Sequence, residues 1–85
     1  MFDLFIWYHA DAGLAPELRI WLQRVKAKLG VQGSLYIRRG TSQTTFMEVF
    51  SHVEPTIAAH IETLAGETRC FDGIERRTEC FERCD

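Results

Sequence analysis

The alternation of hydrophobic and polar residues predicts four β-strands along the chain. Residues 2–9 are rich in aromatic and β-branched side chains and are too short for a stable helix, which indicates a first strand. Residues 34–39 and 44–50 alternate with a period of two, and residues 40–43 between them have the length of a hairpin turn. A last strand is predicted at residues 74–81.

Two other stretches have the spacing of amphipathic helices. In the first, Pro16 stands in the opening turn, and Gly30 can end the helix in the left-handed conformation. Its apolar stripe consists of Leu18, Trp21, Leu22, Val25 and Leu29. In the second, residues 51–54 resemble a capping box followed by Pro55, and Gly66 ends the helix. The second stripe consists of Val53, Ile57, Ile61 and Leu64.

The resulting order, β-α-β-β-α-β, predicts a ferredoxin-like α+β fold. Two right-handed crossovers joined by a hairpin give a four-stranded antiparallel sheet with both helices on one face. The chain has 85 residues, which is enough for a single domain over residues 1–85.

Charge and cysteine content exclude several classes of function. Ten Lys and Arg against twelve Asp and Glu give a net charge of −2, which argues against binding nucleic acid or a membrane surface by bulk charge. The longest apolar stretch, residues 2–10, is far shorter than the ~20 residues of a membrane helix, and Asp3 stands where a signal peptide is positively charged. We therefore expect a cytoplasmic protein. Cys70, Cys80 and Cys84 lack the paired spacing of common zinc sites, so neither a metal nor another cofactor is predicted.

Strand parity predicts which side chains face the helices and which face the uncovered side of the sheet. An ionised carboxylate beneath the helices is costly unless it is paired, so Glu48 is predicted on the open side. The same reasoning leaves Arg76 directed toward the helices near the start of the last strand. The open face is predicted to carry Phe5, Trp7, His9, Tyr36, Arg38, Phe46, Glu48, Phe50, Arg77, Glu79 and Phe81.

So many exposed rings would form an apolar patch larger than soluble monomers usually show. The sequence leaves three alternatives for what covers this patch. Residues 66–73 or the C-terminal tail could fold across the patch, two sheets could pack face to face in a homodimer, or a small-molecule ligand could bind there. A nucleic-acid partner is disfavoured, because Glu48 would put a carboxylate where a phosphate backbone runs.

Two short motifs resemble the signature stretches of an uncharacterised family of short bacterial proteins. They are T-F-M-E-V-F at residues 45–50 and R-T-E-C-F at residues 77–81, and the family's versions read approximately T-W-M-E-V-Y and R-H-x-E-x-F. The first strand, with I-W-Y-H at residues 6–9, is similar too. The resemblance implies the same α+β fold over nearly the whole chain but no activity, and Thr78 stands where the family has histidine.

These observations favour a small binding or self-association module that uses its aromatic and charged sheet face. The alternative is a small-molecule enzyme of the dimeric α/β-barrel type, similar to an isomerase or an oxygenase. His9 and Glu48 would lie on neighbouring central strands, where they could act as a general base and its orienting carboxylate. Arg38 or Arg77 could then hold an anionic substrate.

Overall fold

Strands and helices follow one another in the predicted order. The strands are β1 (Phe2–His9), β2 (Gly33–Arg39), β3 (Thr44–Val53) and β4 (Arg77–Phe81), and the helices are α1 (Ala15–Leu29) and α2 (Pro55–Gly66), in a computed structural model that describes residues 1–85. The sheet order is β2-β3-β1-β4, and every neighbouring pair is antiparallel. The predicted ferredoxin-like α+β fold is confirmed. Neither helix has the length and apolarity needed to cross a membrane.

The helix ends follow from their residues, with one correction. Helix α1 has Pro16 in its first turn and ends at Gly30, whose left-handed φ of 73° suits a residue without a side chain. Helix α2 begins at Pro55, but no side chain caps it. The predicted capping box at residues 51–54 is wrong, because β3 continues through Val53 and only then turns into the helix.

The hydrophobic core lies between the sheet and the two helices. It consists of Leu4, Ile6, Tyr8, Leu18, Trp21, Val25, Phe46, Phe50, Val53, Ile61, Ala65 and Phe71. A short 3-10 turn at Arg69–Phe71 carries the Phe71 ring edge-on to Trp21, with ring centroids 5.0 Å apart. This segment therefore packs on the helix side and does not cover the open face of the sheet.

The predicted parity of β3 is wrong. Phe46, Glu48 and Phe50 have no exposed surface and face the helices, whereas Thr45 and Met47 lie on the other side of the strand. Glu48 is tolerated in the core because it has hydrogen-bonding and charged partners there, which are described below. On β1 the predicted parity is correct, and Phe5, Trp7 and His9 face away from the helices.

Strand β3 is interrupted by a bulge close to its end. The register with β1 shifts between Phe2 and Leu4, and His52 adopts a φ of 58°. The backbone N–H of His52 donates to Oδ1 of Asp3 over 2.8 Å, so the extra residue leaves no unpaired donor. The bulge places Asp3 and Ser51 together at one end of the open face.

Candidate functional site

On the helix side of the sheet, Glu48 is the centre of a buried hydrogen-bonded cluster. The Tyr8 hydroxyl donates to Oε2 of Glu48 over 2.6 Å. Arg76 donates to both carboxylate oxygens of Glu48, over 2.9 and 3.1 Å, and its Nε and Nη2 also donate to Glu62. Both lone-pair-bearing oxygens of the buried carboxylate are thus satisfied by a bidentate arginine.

Burial and charge act on this cluster in opposite directions. Burial raises the pKa of the Tyr8 phenol well above its usual range, and the neighbouring Glu48 carboxylate raises it further. Burial alone would lower the pKa of the Arg76 guanidinium, but its hydrogen bonds to Glu48 and Glu62 raise it above the usual value. The guanidinium also lies 4.3 Å from the centroid of the Phe71 ring. The cluster therefore consists of a neutral phenol and a buried ion pair, and it stabilises the core. Glu48 has no exposed surface with which it could contact a substrate.

The predicted pairing of His9 with Glu48 is wrong, because the two side chains lie on opposite faces of the sheet. Glu48 is in register with Ile6, which faces the helices, whereas His9 is in register with Thr45 on the open face. Nδ1 of His9 lies 3.0 Å from the Thr45 hydroxyl. The general base and orienting carboxylate suggested by the sequence are therefore not brought together.

The register of the sheet arranges the open face in four rows that cross the strands. The first row holds Arg38, Thr45 and His9, and the second holds Tyr36, Met47, Trp7 and Arg77. The third row holds Ser34, Val49, Phe5 and Glu79, and the fourth holds Asp3 and Phe81, with Ser51 beside Asp3 at the bulge. Apolar side chains thus fill the centre of the face, and charged groups stand at its ends and along β4.

Trp7 lies at the centre of this face and is held on several sides. Its indole Nε1 donates to Oε2 of Glu79 over 2.9 Å. The guanidinium of Arg77 lies 4.6 Å from the indole centroid, and the His9 ring packs edge-on at 5.7 Å. Arg77 also forms an ion pair of 3.0 Å with Glu75. The indole is therefore oriented before any partner arrives.

The end of the face near β4 carries a second pair of rings. Phe5 and Phe81 pack edge to face with centroids 5.7 Å apart, and 57% of Phe81 is exposed. Residues 82–85 flank these rings around a shallow depression of about 630 Å³. The tail borders this end of the face and leaves Trp7 and Tyr36 uncovered.

A groove of about 550 Å³ lies on the other side of Trp7, toward the β2 edge. Its lining consists of Trp7, Tyr36, Ile37, Arg38, Thr45, Met47 and Glu79. Tyr36 is 61% exposed and its ring forms an outer wall, while Met47 and Trp7 form the floor and the inner wall. An arginine stands at one end of an otherwise mainly apolar groove.

The structure brings together most, but not all, of the residues that the sequence places on the open face. Phe46, Glu48 and Phe50 lie beneath the sheet, and Thr45, Met47 and Val49 take their places on the open side. The signal for this exchange is present in the sequence, because Arg76 is itself predicted to point toward the helices. When a cation and a carboxylate both occupy positions that face the helices, where apolar residues are expected, the two can form an ion pair.

The three cysteines lie outside this groove. All three cysteines are free, and Cys80 and Cys84 are exposed. Burial raises the pKa of the Cys70 thiol, and the Glu17 carboxylate raises it further. Both effects disfavour formation of the thiolate. No group of three or more His, Cys, Asp or Glu side chains is arranged to hold a metal ion.

No family model and no curated protein matches the sequence. Among solved structures, the chain is similar to the de novo designed protein Foldit4, with a TM-score of 0.75, 10% identity and 98% of both chains covered. It is also similar to the designed protein Ferredog-Diesel, with a TM-score of 0.53, 14% identity and coverage of 92% of this chain and 82% of that one. PelD 156-455 from Pseudomonas aeruginosa PA14, solved in complex with c-di-GMP, gives a TM-score of 0.59 at 10% identity; the match covers 99% of this chain but 33% of that one. At these identities the likeness supports the fold alone, which is the ferredoxin-like arrangement described above.

Proposed function

We propose that the chain is a cytoplasmic self-association module, in which two copies pack their open sheet faces together. The observation that carries this proposal is the self-complementary order of the four rows. A two-fold axis that runs across the strands, between the second and third rows, exchanges these two rows and also exchanges the first with the fourth. Each strand then lies over the same strand of the second copy, as an isologous interface requires.

This operation matches apolar residues with apolar residues at the centre. Trp7 lies opposite Phe5 of the second copy, and Met47 lies opposite Val49 of the second copy, given the register of β1 with β3. Both central strands thus contribute to a continuous apolar layer of the kind that fills the space between packed sheets, about 10 Å apart. The Trp7 and Phe5 rings of each chain are thereby removed from water.

The same operation matches opposite charges around that layer. Arg77 and Glu79 stand in the second and third rows of β4, so Arg77 of each copy faces Glu79 of the other. His9 and Asp3 stand in the first and fourth rows of β1, so the imidazole of each copy also faces the carboxylate of the other. Packed sheets are rotated by about 30°, which displaces a group on β4 by only about 4 Å, within reach of an arginine side chain.

An axis parallel to the strands is the competing arrangement. It would place β2 over β4 of the second copy, with Arg77 opposite Tyr36 and Glu79 opposite Ser34, according to the same register. Glu79 would then face no cation, and Arg77 would face no carboxylate. An arrangement that leaves charges unpaired, or places like charges opposite each other, is disfavoured. We therefore propose the axis across the strands.

A mixing experiment tests this arrangement directly. Arg77→Glu and Glu79→Arg each place like charges opposite each other in a homodimer, so each variant alone is expected to be monomeric. When the two variants are mixed, the pair of carboxylates on β4 of one chain meets the pair of guanidinium groups on β4 of the other, and a heterodimer should form. Analytical ultracentrifugation of the two variants, alone and mixed, provides the readout.

Recovery of a dimer on mixing is expected only if Arg77 and Glu79 pair between the two chains. Charge interactions within a chain, such as the ion pair of Arg77 with Glu75, remain the same whether the variants are alone or together. A mixture that stays monomeric would contradict the proposed axis. A wild-type chain that is monomeric at high micromolar concentration would contradict self-association itself.

A further inference from the structure

We propose that the groove between Trp7 and Tyr36 binds a planar organic anion, such as an aromatic carboxylate, with Arg38 as its charged anchor. The groove has a volume of about 550 Å³, within the range of about 300–1,000 Å³ typical of small-molecule sites. It is formed by a single chain, so this inference goes beyond self-association and does not require it.

The apolar walls of the groove suit a flat ring. Met47 forms the floor between the Trp7 indole and the exposed Tyr36 ring, because these three side chains occupy one row across the sheet. The indole is already fixed by its hydrogen bond to Glu79 and by the overlying Arg77. A ring that enters therefore gains stacking contacts without first having to order its inner wall.

The charge of the groove favours an anion. The ion pairs of the chain involve Arg76 and Arg77, and no hydrogen bond or ion pair engages Arg38. Its guanidinium stands at the rim of the groove with its donor fork free. The carboxylate of Glu79, at the opposite end, already accepts from the Trp7 indole. Arg38 is thus the charged group of the groove without a hydrogen-bonding partner, and a guanidinium binds a carboxylate through two parallel hydrogen bonds.

The proposed dimer would leave this groove open. In that arrangement Tyr36 faces Ser34 of the second copy, and Arg38 faces Gln32 of the second copy, just before β2 begins. The small Ser34 side chain leaves space over Tyr36 at the β2 edge, whereas the bulky rings fill the centre. Two grooves per dimer, each roofed by the other chain, would then result.

The test uses the full chain and two probes of the same shape, naphthalene-2-carboxylate and the neutral naphthalene-2-carboxamide. Binding is followed by the indole N–H signal of Trp7 in a nuclear magnetic resonance titration. The signal of the buried Trp21 serves as an internal reference. We expect the carboxylate to shift the Trp7 signal and to bind roughly tenfold more tightly than the carboxamide, because only the carboxylate forms charge-assisted hydrogen bonds.

Two matched variants assign the anchor. Arg38→Gln should abolish the preference for the carboxylate, whereas Arg39→Gln, which removes the same charge from the opposite face of β2, should retain it. Equal affinity for the two probes, or a preference that survives Arg38→Gln, would overturn the inference. The mass of the same samples distinguishes the two proposals. A monomer that prefers the carboxylate would contradict only self-association, and a dimer without that preference would contradict only anion binding in the groove.

Discussion

The side chain of Arg76 makes more charged contacts than any other in the molecule, although only 6% of it is exposed. It donates to the carboxylates of Glu48 and Glu62 and lies over three aromatic rings. Desolvation of both charges offsets much of the attraction in such a buried pair. The loss of one member is costly, however, because the other is left as an unpaired charge in the core.

Arg76→Met should therefore lower the free energy of unfolding by about 3–5 kcal/mol, since it strands the Glu48 carboxylate in the core. Glu62→Gln is the matched control, because 34% of the Glu62 side chain is exposed and its loss should cost about 1 kcal/mol or less. Urea unfolding of both variants measures the two values. Equal losses would contradict the view that burial of Glu48, rather than the number of ion pairs, sets the cost.

Tyr8 makes stability depend on alkaline pH. Its pKa is raised in the folded chain by burial and by Glu48, from an ordinary value of 10.0 in the unfolded chain. The stabilisation is therefore complete below about pH 10 and declines as the pH rises above it, because only the unfolded chain releases the proton there. In a Tyr36→Phe variant, which leaves Tyr8 as the sole tyrosine, tyrosinate absorbance should appear only together with unfolding. Tyrosinate in a chain that retains its circular dichroism spectrum would contradict this.

Glu48 also explains which part of the candidate site could be predicted from the sequence. The rule that an ionised carboxylate avoids the core is a rule about unpaired carboxylates. The partners of Glu48 stand 40 residues earlier, at Tyr8, and 28 residues later, at Arg76. Periodicity within one strand cannot reveal such distant partners, so it assigns the wrong parity to β3 and misplaces Phe46 and Phe50 with it. The parity of β1, which has no charge on its helix side, could be predicted correctly.

For single strands and helices, local periodicity predicts the bounds correctly where those bounds do not depend on a partner elsewhere in the chain. The bounds of β1 agree with the predicted 2–9, and α1 lies between its proline and its terminal glycine. Strand β3 extends beyond its predicted end because the bulge at His52 pairs with Asp3, a partner that lies on another strand. Strand β4 begins at Arg77 instead of residue 74, since the chain first places Arg76 in the core.

A glycine in β2 fixes how closely that strand approaches the core. A Cβ atom added to Gly33 would lie 2.5 Å from Cε1 of Phe50, whose ring is fully buried. Gly33→Ala should therefore destabilise the fold by about 1–3 kcal/mol, as overpacking of a filled core does. Gly66→Ala is the control, because nothing lies within 4 Å of its Cβ position and alanine is the better helix former. Thermal unfolding of the two variants measures the difference, and similar melting temperatures would contradict the close approach.

At the scale of the whole molecule, the ferredoxin-like topology could be derived from the sequence because connection rules leave few alternatives for this order of elements. What the sequence could not supply was the composition of the surface that the helices leave uncovered. That surface depends on the parity of each strand, and a one-residue change of parity in β3 exchanges its whole set of side chains. The proposed self-association accordingly depends on the assembled sheet and on no single segment.

Trp7→Glu should convert the proposed dimer into a monomer, since it places a carboxylate in the centre of the apolar layer. Ile20→Glu is the matched control: Ile20 is 65% exposed on α1, on the other side of the molecule, so the variant should remain dimeric. Light scattering gives the mass of each, and circular dichroism reports whether the fold is retained. A Trp7→Glu chain with the mass of the wild type would contradict the proposed interface.

The pairing of Glu48 with Arg76 also has a consequence for the chain as it leaves the ribosome. Both helices and three of the strands precede Arg76 in the sequence. Until that arginine has been synthesised, any packing of α2 against β3 would enclose a carboxylate without its counter-ion. Translation therefore delivers three strands and both helices first and the neutralising charge 28 residues after the acid, so we expect cooperative closure of the core to wait for the final strand.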